Sequence, residues 1–441
     1  MAADGPLPAQ MVAAVPAIRR DALGYLERLT ARYGDVVAFP MPRTPVVLVN
    51  TPAAARHVLV THRARWTKDT AQYGALSAVT GQGLLTADGD GWRARRRLAQ
   101  PAFHHGALEG VAAQAVSAAH RALTRVPAAG GVVDVDDLLL QATLEVVGRS
   151  LFGADVAEDG ERLVAAVLSA LEVVVERVRT PLPLPRWAPS PQRRRLRAAV
   201  KELDDACARL VARRRAGARG TAAPGDLLGL LLAAVDAGEL DERSVRDEIV
   251  TMVIAGHETV ASSLTWTLHL LAGAPAEQER LNAEVDAVLG GRDPGWSDLG
   301  RLPVARAVVD ESLRVYPPAW VLSRRAACDD VVAGVAVPAG TVLVLSPWLL
   351  HRRPGSFADP LRFDPSRFLT GAPLEPGAYV PFGAGARLCI GRDFALVEQV
   401  LALVTLLRRW RLERLPDHRV AVDALVTLRP RGGLPLRWVP R

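Results

Sequence analysis

The sequence predicts a mainly α fold with a smaller β-rich lobe, on three observations. Apolar residues recur at helical spacing over much of residues 107–290. Within that stretch one segment is unusually long, "DERSVRDEIVTMVIAGHETVASSLTWTLHLLAGAP", opening on the acidic Asp241 and Glu242 and stopping at Gly273 and Pro275. Two short regions, about 34–62 and 317–350, carry strand-like apolar runs punctuated by Pro and Gly.

Taken in order, "GDVVAFP" and "PVVLVN" (Gly34 to Asn50) read as a hairpin with Pro42 and Arg43 in the turn. Helical patterns follow over Thr51 to Thr61 and Trp92 to Phe103. "TPLPLPRWAPSP" (Thr180 to Pro191) and "RAGARGTAAPGD" (Arg215 to Asp226) break the helical region as loops. No composition shift marks a domain boundary there, and no internal repeat is visible. "DVVAGVAVPAGTVLVLS" reads as a second strand pair, flanking Pro338, Ala339 and Gly340. "PFGAGARLCIGRDFALVEQV" (381–400) is a glycine-rich loop that runs into an apolar helix.

Three cysteines, Cys207, Cys328 and Cys389, are too few for a disulfide framework, and the odd count argues for reduced thiols. The first twenty residues carry neither a basic n-region nor a sustained apolar run, so no signal peptide or membrane anchor is expected and the location expected is cytoplasmic. Net charge is +7, and since only Lys68 and Lys201 are lysines, nearly all the positive charge is arginine. That bias reads as genome composition rather than nucleic-acid binding. No zinc-ligand spacing, RNA-binding aromatic motif or basic repeat supports the latter. An acidic protein partner fits the charge.

Cys389 lies among Gly383, Gly385 and Gly391, at the mouth of the helix opened by "GRDFALVEQV". Glycines let the backbone approach whatever lies over the sulfur, and a helix N-terminus favours a thiolate. A thiolate so held is a nucleophile or a metal ligand. The nucleophile wants a His or Asn beside it; local sequence offers none, and a distant partner stays open. Zinc or an iron–sulfur cluster wants more cysteines than the chain has. A single axial thiolate to a haem remains.

"FGAGARLCIG" (Phe382 to Gly391) resembles, without departure, the haem-binding loop F-G-x-G-x-R-x-C-x-G of the cytochromes P-450. "ESLR" is similar to that family's Glu-x-x-Arg pair, implying that Glu311 and Arg314 lock the chain around the cysteine loop together with Arg367 of "DPSRF". "AGHET" resembles its oxygen-activation motif, A-G-x-[D/E]-T. Ala255 and Gly256 would then lie against haem and dioxygen, and Glu258 and Thr259 would relay protons. His257 stands at the motif's variable position as a packing residue. The mid-helix Gly256 costs about 1 kcal/mol against Ala and so asks for a reason. The resemblance further implies haem-propionate contacts from Trp92 and Arg96 of "WRARR", from Arg387, from Arg325 and from Lys68. Arg93, Arg95, Arg97 and Arg392 are implied as the basic face that meets an electron donor.

What the resemblance implies is the cytochrome P-450 fold as a single unit over residues 1–441, with haem b between the long central helix and the cysteine-loop helix. The reaction implied is insertion of one oxygen atom of dioxygen into a lipophilic molecule, a terpenoid, polyketide or fatty acid, in secondary metabolism. No flavin segment or second cysteine cluster is fused, so electrons are expected from a separate ferredoxin and ferredoxin reductase serving a monomer. A peroxide-driven enzyme and a non-catalytic haem sensor are the rivals. Glu258 and Thr259 speak against both. Substrate-pocket positions implied are the loop from Gln72 to Leu84 (with Leu76 and Val79), Ile254, Ala319, Trp320, Val321 and Thr427.

Overall fold

The computed structural model describes residues 4–41, 44–153, 157–178, 190–217 and 226–441. Helices dominate these residues, as the apolar spacing predicts. The long central segment begins at Glu242, where the Asp241 carboxylate accepts from the Ser244 amide at 2.8 Å, and runs to Ala272 before Gly273 ends it. It is not one uniform helix: Ile254–Glu258 widens into a π turn. Helices Val135–Phe152 and Arg392–Leu407 pack directly on it, and His105–Leu123 packs against both of those. One apolar cluster unites all of them, from Tyr73 to Trp438. Packing of this kind, rather than intrinsic propensity, holds such helices in place.

The β-rich lobe is a five-stranded sheet in the order Val36–Phe39, Val46–Val49, Val342–Leu345, Leu322–Ala326, Trp66–Thr67. Val46–Val49 lies parallel to Val342–Leu345, which joins two sequence-distant regions into one lobe with its own apolar cluster around Leu343 and Val49. Sequence reasoning misplaced the second hairpin. It is Asp330–Val332 against Val335–Val337, turning at Ala333 and Gly334, both at positive φ. Two consecutive left-handed residues make the tight turn that right-twisted strands favour. Pro338 to Gly340 instead sends the chain to the other sheet, where Val342–Leu345 pairs with Leu322–Ala326.

The pattern-based reading also missed the C-terminal strands. Trp410–Arg414 and Gly131–Asp134 flank Pro435–Pro440, and Val422–Ala424 pairs with Leu428–Pro430. Gln72 to Leu84 is not a loop, because Ala71–Thr80 is a helix. The expected turn residues Pro42 and Arg43, and most of the two expected loops, 180–189 and 218–225, lie outside the described residues. No helix among the described residues is long and apolar enough to cross a membrane.

Candidate functional site: a cysteine loop facing the central helix

Cys389 sits in the turn before helix Arg392–Leu407, its amide bonded to the Phe382 carbonyl at 3.0 Å. Gly383 and Gly385 both adopt positive φ. A Cβ on Gly385 would collide with the Leu59 carbonyl oxygen. The glycines therefore serve turn geometry and the approach of His57–Thr61, rather than only the approach of a ligand to the backbone. The sulfur has open space before it, yet the protein closes around it tightly enough that burial pushes the thiol up. The Gly391 amide and the charges of Arg96, Arg392 and Lys68 oppose this. The helix N-terminus and nearby amides, expected to favour a thiolate, do act in that direction, but burial outweighs them. A haem iron held by Cys389 would supply what is missing, because a metal cation deprotonates a coordinating thiol outright.

Beside the cysteine lies a cluster of cations. Arg96, one turn after Trp92 on helix Gly89–Ala99, donates to the Leu388 carbonyl at 2.7 Å. Arg387 stacks on Trp92, 3.9 Å from the ring centroid, donates to the Ala87 carbonyl and pairs with Asp88. Lys68 donates to the Leu85 carbonyl at 2.7 Å over the Tyr73 ring. Burial, then Arg324 and Arg387, hold Lys68 well below the ordinary lysine range.

Arg325, expected here, is turned away. It pairs with Asp69 and reaches toward the Gly340 carbonyl. Its neighbour Arg324 is the buried one, donating to the Tyr73 hydroxyl at 3.2 Å. Successive residues of strand Leu322–Ala326 point to opposite faces, and pairing with Val342–Leu345 puts Arg324 on the inner one. Lys68, Arg324 and Arg387, crowded with the Asp88 carboxylate, together with Arg96 beside the cysteine, fit a group bearing two more carboxylates, as haem b does. Sequence reasoning missed Arg324, Tyr73 and Asp88. The adjacent arginines at 324 and 325 were the available signal.

Across residues 247–272 of the central helix, all side chains are buried except Ala255, Gly256 and Thr259. These three share one helical face, so they form the only opening in that stretch. The Thr259 hydroxyl donates to the Ala255 carbonyl at 2.7 Å, which accompanies the π turn. Gly256 has a second reason beyond access: a Cβ there would stand 3.0 Å from Cγ2 of Val147 on the neighbouring helix. Glu258 points the other way into the protein, one oxygen accepting from the Thr427 hydroxyl at 2.9 Å and the other without a partner. Burial, opposed by Arg429 and Thr427, pushes its carboxyl up. His257 is fully buried, and burial holds it down to about 3, so it is neutral, as a packing residue should be.

Of the implied pocket residues, Leu76, Val79 and Ile254 belong to the main apolar cluster. They are almost wholly buried. Trp320 does not join them. It packs with Leu23, Trp348 and Leu428 and donates its indole N–H to the Leu425 carbonyl at 2.8 Å. Thr427 serves Glu258, since its hydroxyl is spent on that carboxyl. Ala319 and Val321 stay partly open, and the Val321 carbonyl accepts from Gln72 at 3.4 Å.

Glu311 and Arg314 are both fully buried and joined by two 2.7 Å bonds. Arg314 also donates to the carbonyls of His351, Pro360 and Arg362. Arg367 reaches Glu311 at 3.4 Å, and the Asp364 amide donates to the same oxygen at 2.8 Å. His351, which sequence reasoning missed, carries the lock onward. Nδ1 lies 3.2 Å from the Arg314 carbonyl, and Nε2 accepts from the Val380 amide at 2.9 Å, next to the cysteine loop. Burial holds it down to about 3, consistent with that neutral tautomer. Arg95, placed by sequence on a donor-docking face, is instead half-buried between helices, bonded to Glu248 at 3.1 Å and to Ser244.

Residues 4–432 match the family model described as Cytochrome P450. The chain is 34% identical over 430 residues to cyclooctatin synthase of Streptomyces melanosporofaciens, covering 96% of this chain and 91% of that one. It is 35% identical over 433 residues to pentalenene oxygenase of Streptomyces avermitilis, covering 96% and 94%. Among solved structures, CYP175A1 of Thermus thermophilus superposes with a TM-score of 0.78 at 34% identity, covering 97% of each chain. With this match over nearly its whole length, and a cysteine loop and cation cluster suited to haem b, the chain belongs to the cytochrome P450 family of haem-thiolate monooxygenases.

Proposed function

We propose that the protein hydroxylates or epoxidises a lipophilic small molecule, of terpenoid, polyketide or fatty-acid kind. Dioxygen is the oxidant, and electrons come from a separate ferredoxin and its reductase. The observation that carries this reading is the single open face of the central helix, Ala255, Gly256 and Thr259, backed by the buried Glu258. Relatives named for cyclooctatin and pentalenene favour the terpenoid class. Ile254 beside that face, and Leu76 and Val79 of the same apolar cluster, suit such a ligand.

Bound haem supplies the binding and reductive activation of dioxygen. Cys389 would hold its iron, and Lys68, Arg96, Arg324 and Arg387 would hold its carboxylates. Thr259 keeps a hydroxyl at the opened turn, where it can exchange the Ala255 carbonyl for a partner on the open face of the helix. Glu258 stores a proton one residue away. Glu311, Arg314, Arg367 and His351 keep the cysteine loop in place.

Two measurements test this. The reduced, carbonyl-bound protein should show the red-shifted Soret band of a thiolate haem, lost in Cys389→Ser and kept in Cys207→Ser and Cys328→Ser. Lipophilic ligands should then be screened for a low- to high-spin shift, and accepted ones turned over with dioxygen and reductant or with peroxide alone. Turnover by peroxide and none by dioxygen would replace the monooxygenase reading with a peroxygenase one.

A further inference from the structure

Thr427 and Arg429 flank Leu428 where the chain enters the last strand of a short hairpin, so they project from the same face. The Leu428 side chain goes the other way, into the cluster with Trp348. Its carbonyl accepts from Ser262 at 2.5 Å and from the Trp266 indole at 2.9 Å, which pins this hairpin to the central helix. The common face of Thr427 and Arg429 looks onto two buried carboxyls, Asp136 and Glu258. Arg429 donates to Asp136 Oδ2 at 2.5 Å, while Thr427 donates to Glu258 Oε1 at 2.9 Å. Asp136 Oδ1 has the Thr265 hydroxyl at 3.5 Å, and Glu258 Oε2 has no partner.

We propose that Asp136, Arg429 and Thr427 are positioning residues for Glu258. The one guanidinium between two acids is committed to Asp136, so Glu258 keeps its proton, and Thr427 fixes its orientation. This rests on the reading of Glu258 as the acid of the proton relay. The charges facing Glu258 are few. His257 is neutral, Asp136 repels an anion, and Arg429 alone attracts one. Asp134 bears on Asp136 rather than on Glu258 and pushes it up, as burial does. A second buried carboxylate beside a single cation would be an uncompensated charge, which costs several kcal/mol and is relieved by protonation. Once Glu258 gives its proton to the opened turn, Arg429 is the near cation that steadies the anion until water returns a proton.

The test uses the haem-loaded protein and two readouts. The first is the infrared carbonyl-stretch band of a protonated carboxylic acid, assigned to Glu258 by its loss in Glu258→Gln. The second is product formed per NADPH across pH. Asp136→Asn frees Arg429 for Glu258, so the band should titrate at lower pH, by about tenfold or more in proton affinity. Coupling at neutral pH should fall and recover on acidification. Thr427→Val removes a bond that favours the anion and should shift the band the opposite way, with Thr427→Ser restoring it. If Asp136→Asn fails to fold, the Thr427 pair still decides the sign.

A Glu258 band unmoved by both Asp136→Asn and Thr427→Val overturns the proposal. A band that moves as stated while Glu258→Gln keeps wild-type coupling at every pH leaves the charge sharing intact. That second result would remove Glu258 from the relay.

Discussion

Glu311→Ala should strip the protein of haem without touching any residue that faces the haem. Arg314 makes five hydrogen bonds, two to Glu311 and three to the carbonyls of His351, Pro360 and Arg362. Neither side chain has any exposed surface. Removing the carboxylate leaves a guanidinium with no counter-charge in the interior and frees the Asp364 amide, which had bonded Glu311 at 2.8 Å. Breaking a buried pair in this way costs about 3–5 kcal/mol, against a total stability of about 5–15 kcal/mol. The loss falls on the segment from His351 to Arg367, whose backbone this pair ties down, and passes through His351 to Val380 beside the cysteine loop. The haem-loaded fraction, read from the carbonyl-bound absorbance per milligram of protein, should drop severalfold, with the melting temperature falling in parallel. Glu311→Gln, which keeps the shape and loses the charge, should lie between. Normal haem content and melting temperature in Glu311→Ala would refute the assignment of this trio to the fold.

Thr259→Ala should retain haem and ligand affinity while diverting reducing equivalents to hydrogen peroxide. A positioned acid–base group is worth roughly 10²–10⁴ in rate, and Thr259→Ser should remain near wild type. Equal product per NADPH in Thr259→Ala and wild type would remove the hydroxyl from the relay. Arg324→Ala should weaken haem retention far more than Arg325→Ala, because only Arg324 joins Lys68 and Arg387; the rate of haem transfer from each protein to apomyoglobin measures it, and equal loss from both would restore Arg325 to the cluster. Burial holds His257 and His351 down to about 3 and His269 to about 4. All three are thus neutral when folded and able to take a proton at about 6.5 when unfolded. Stability should therefore be level above about pH 7 and fall as pH drops below about 6.5, by up to roughly 1.4 kcal/mol per pH unit for each histidine. Chemical denaturation at stepped pH checks the slope, and a flat profile from pH 7 to 5 would contradict neutral burial.

The parts of the site that were legible are those whose chemistry needs contiguous residues. A thiolate loop must bring its glycines, arginine and cysteine in a fixed order, and Glu311 must stand one turn from Arg314 for the pair to close. The same holds for "AGHET", where the threonine reaches the carbonyl four residues back. Legibility fails where a role depends on which strand pairs with which. The register with Val342–Leu345 decides that Arg324 faces inward and Arg325 outward, and two adjacent arginines carry no trace of that choice. Likewise Thr427 meets Glu258 only because the hairpin at Leu428 docks on Ser262 and Trp266. The strands there are three residues long, too short for a period-2 pattern to rise above background. Arg95 failed for the complementary reason. Its helix is basic on several sides, and sequence alone does not say that Glu248 lies opposite one of them. Partners drawn from distant elements are fixed by packing. Among them are Thr427, Arg429 and Asp136, the residues proposed to set the protonation of Glu258, so that proposed control lies in the part of the chain where pattern is weakest.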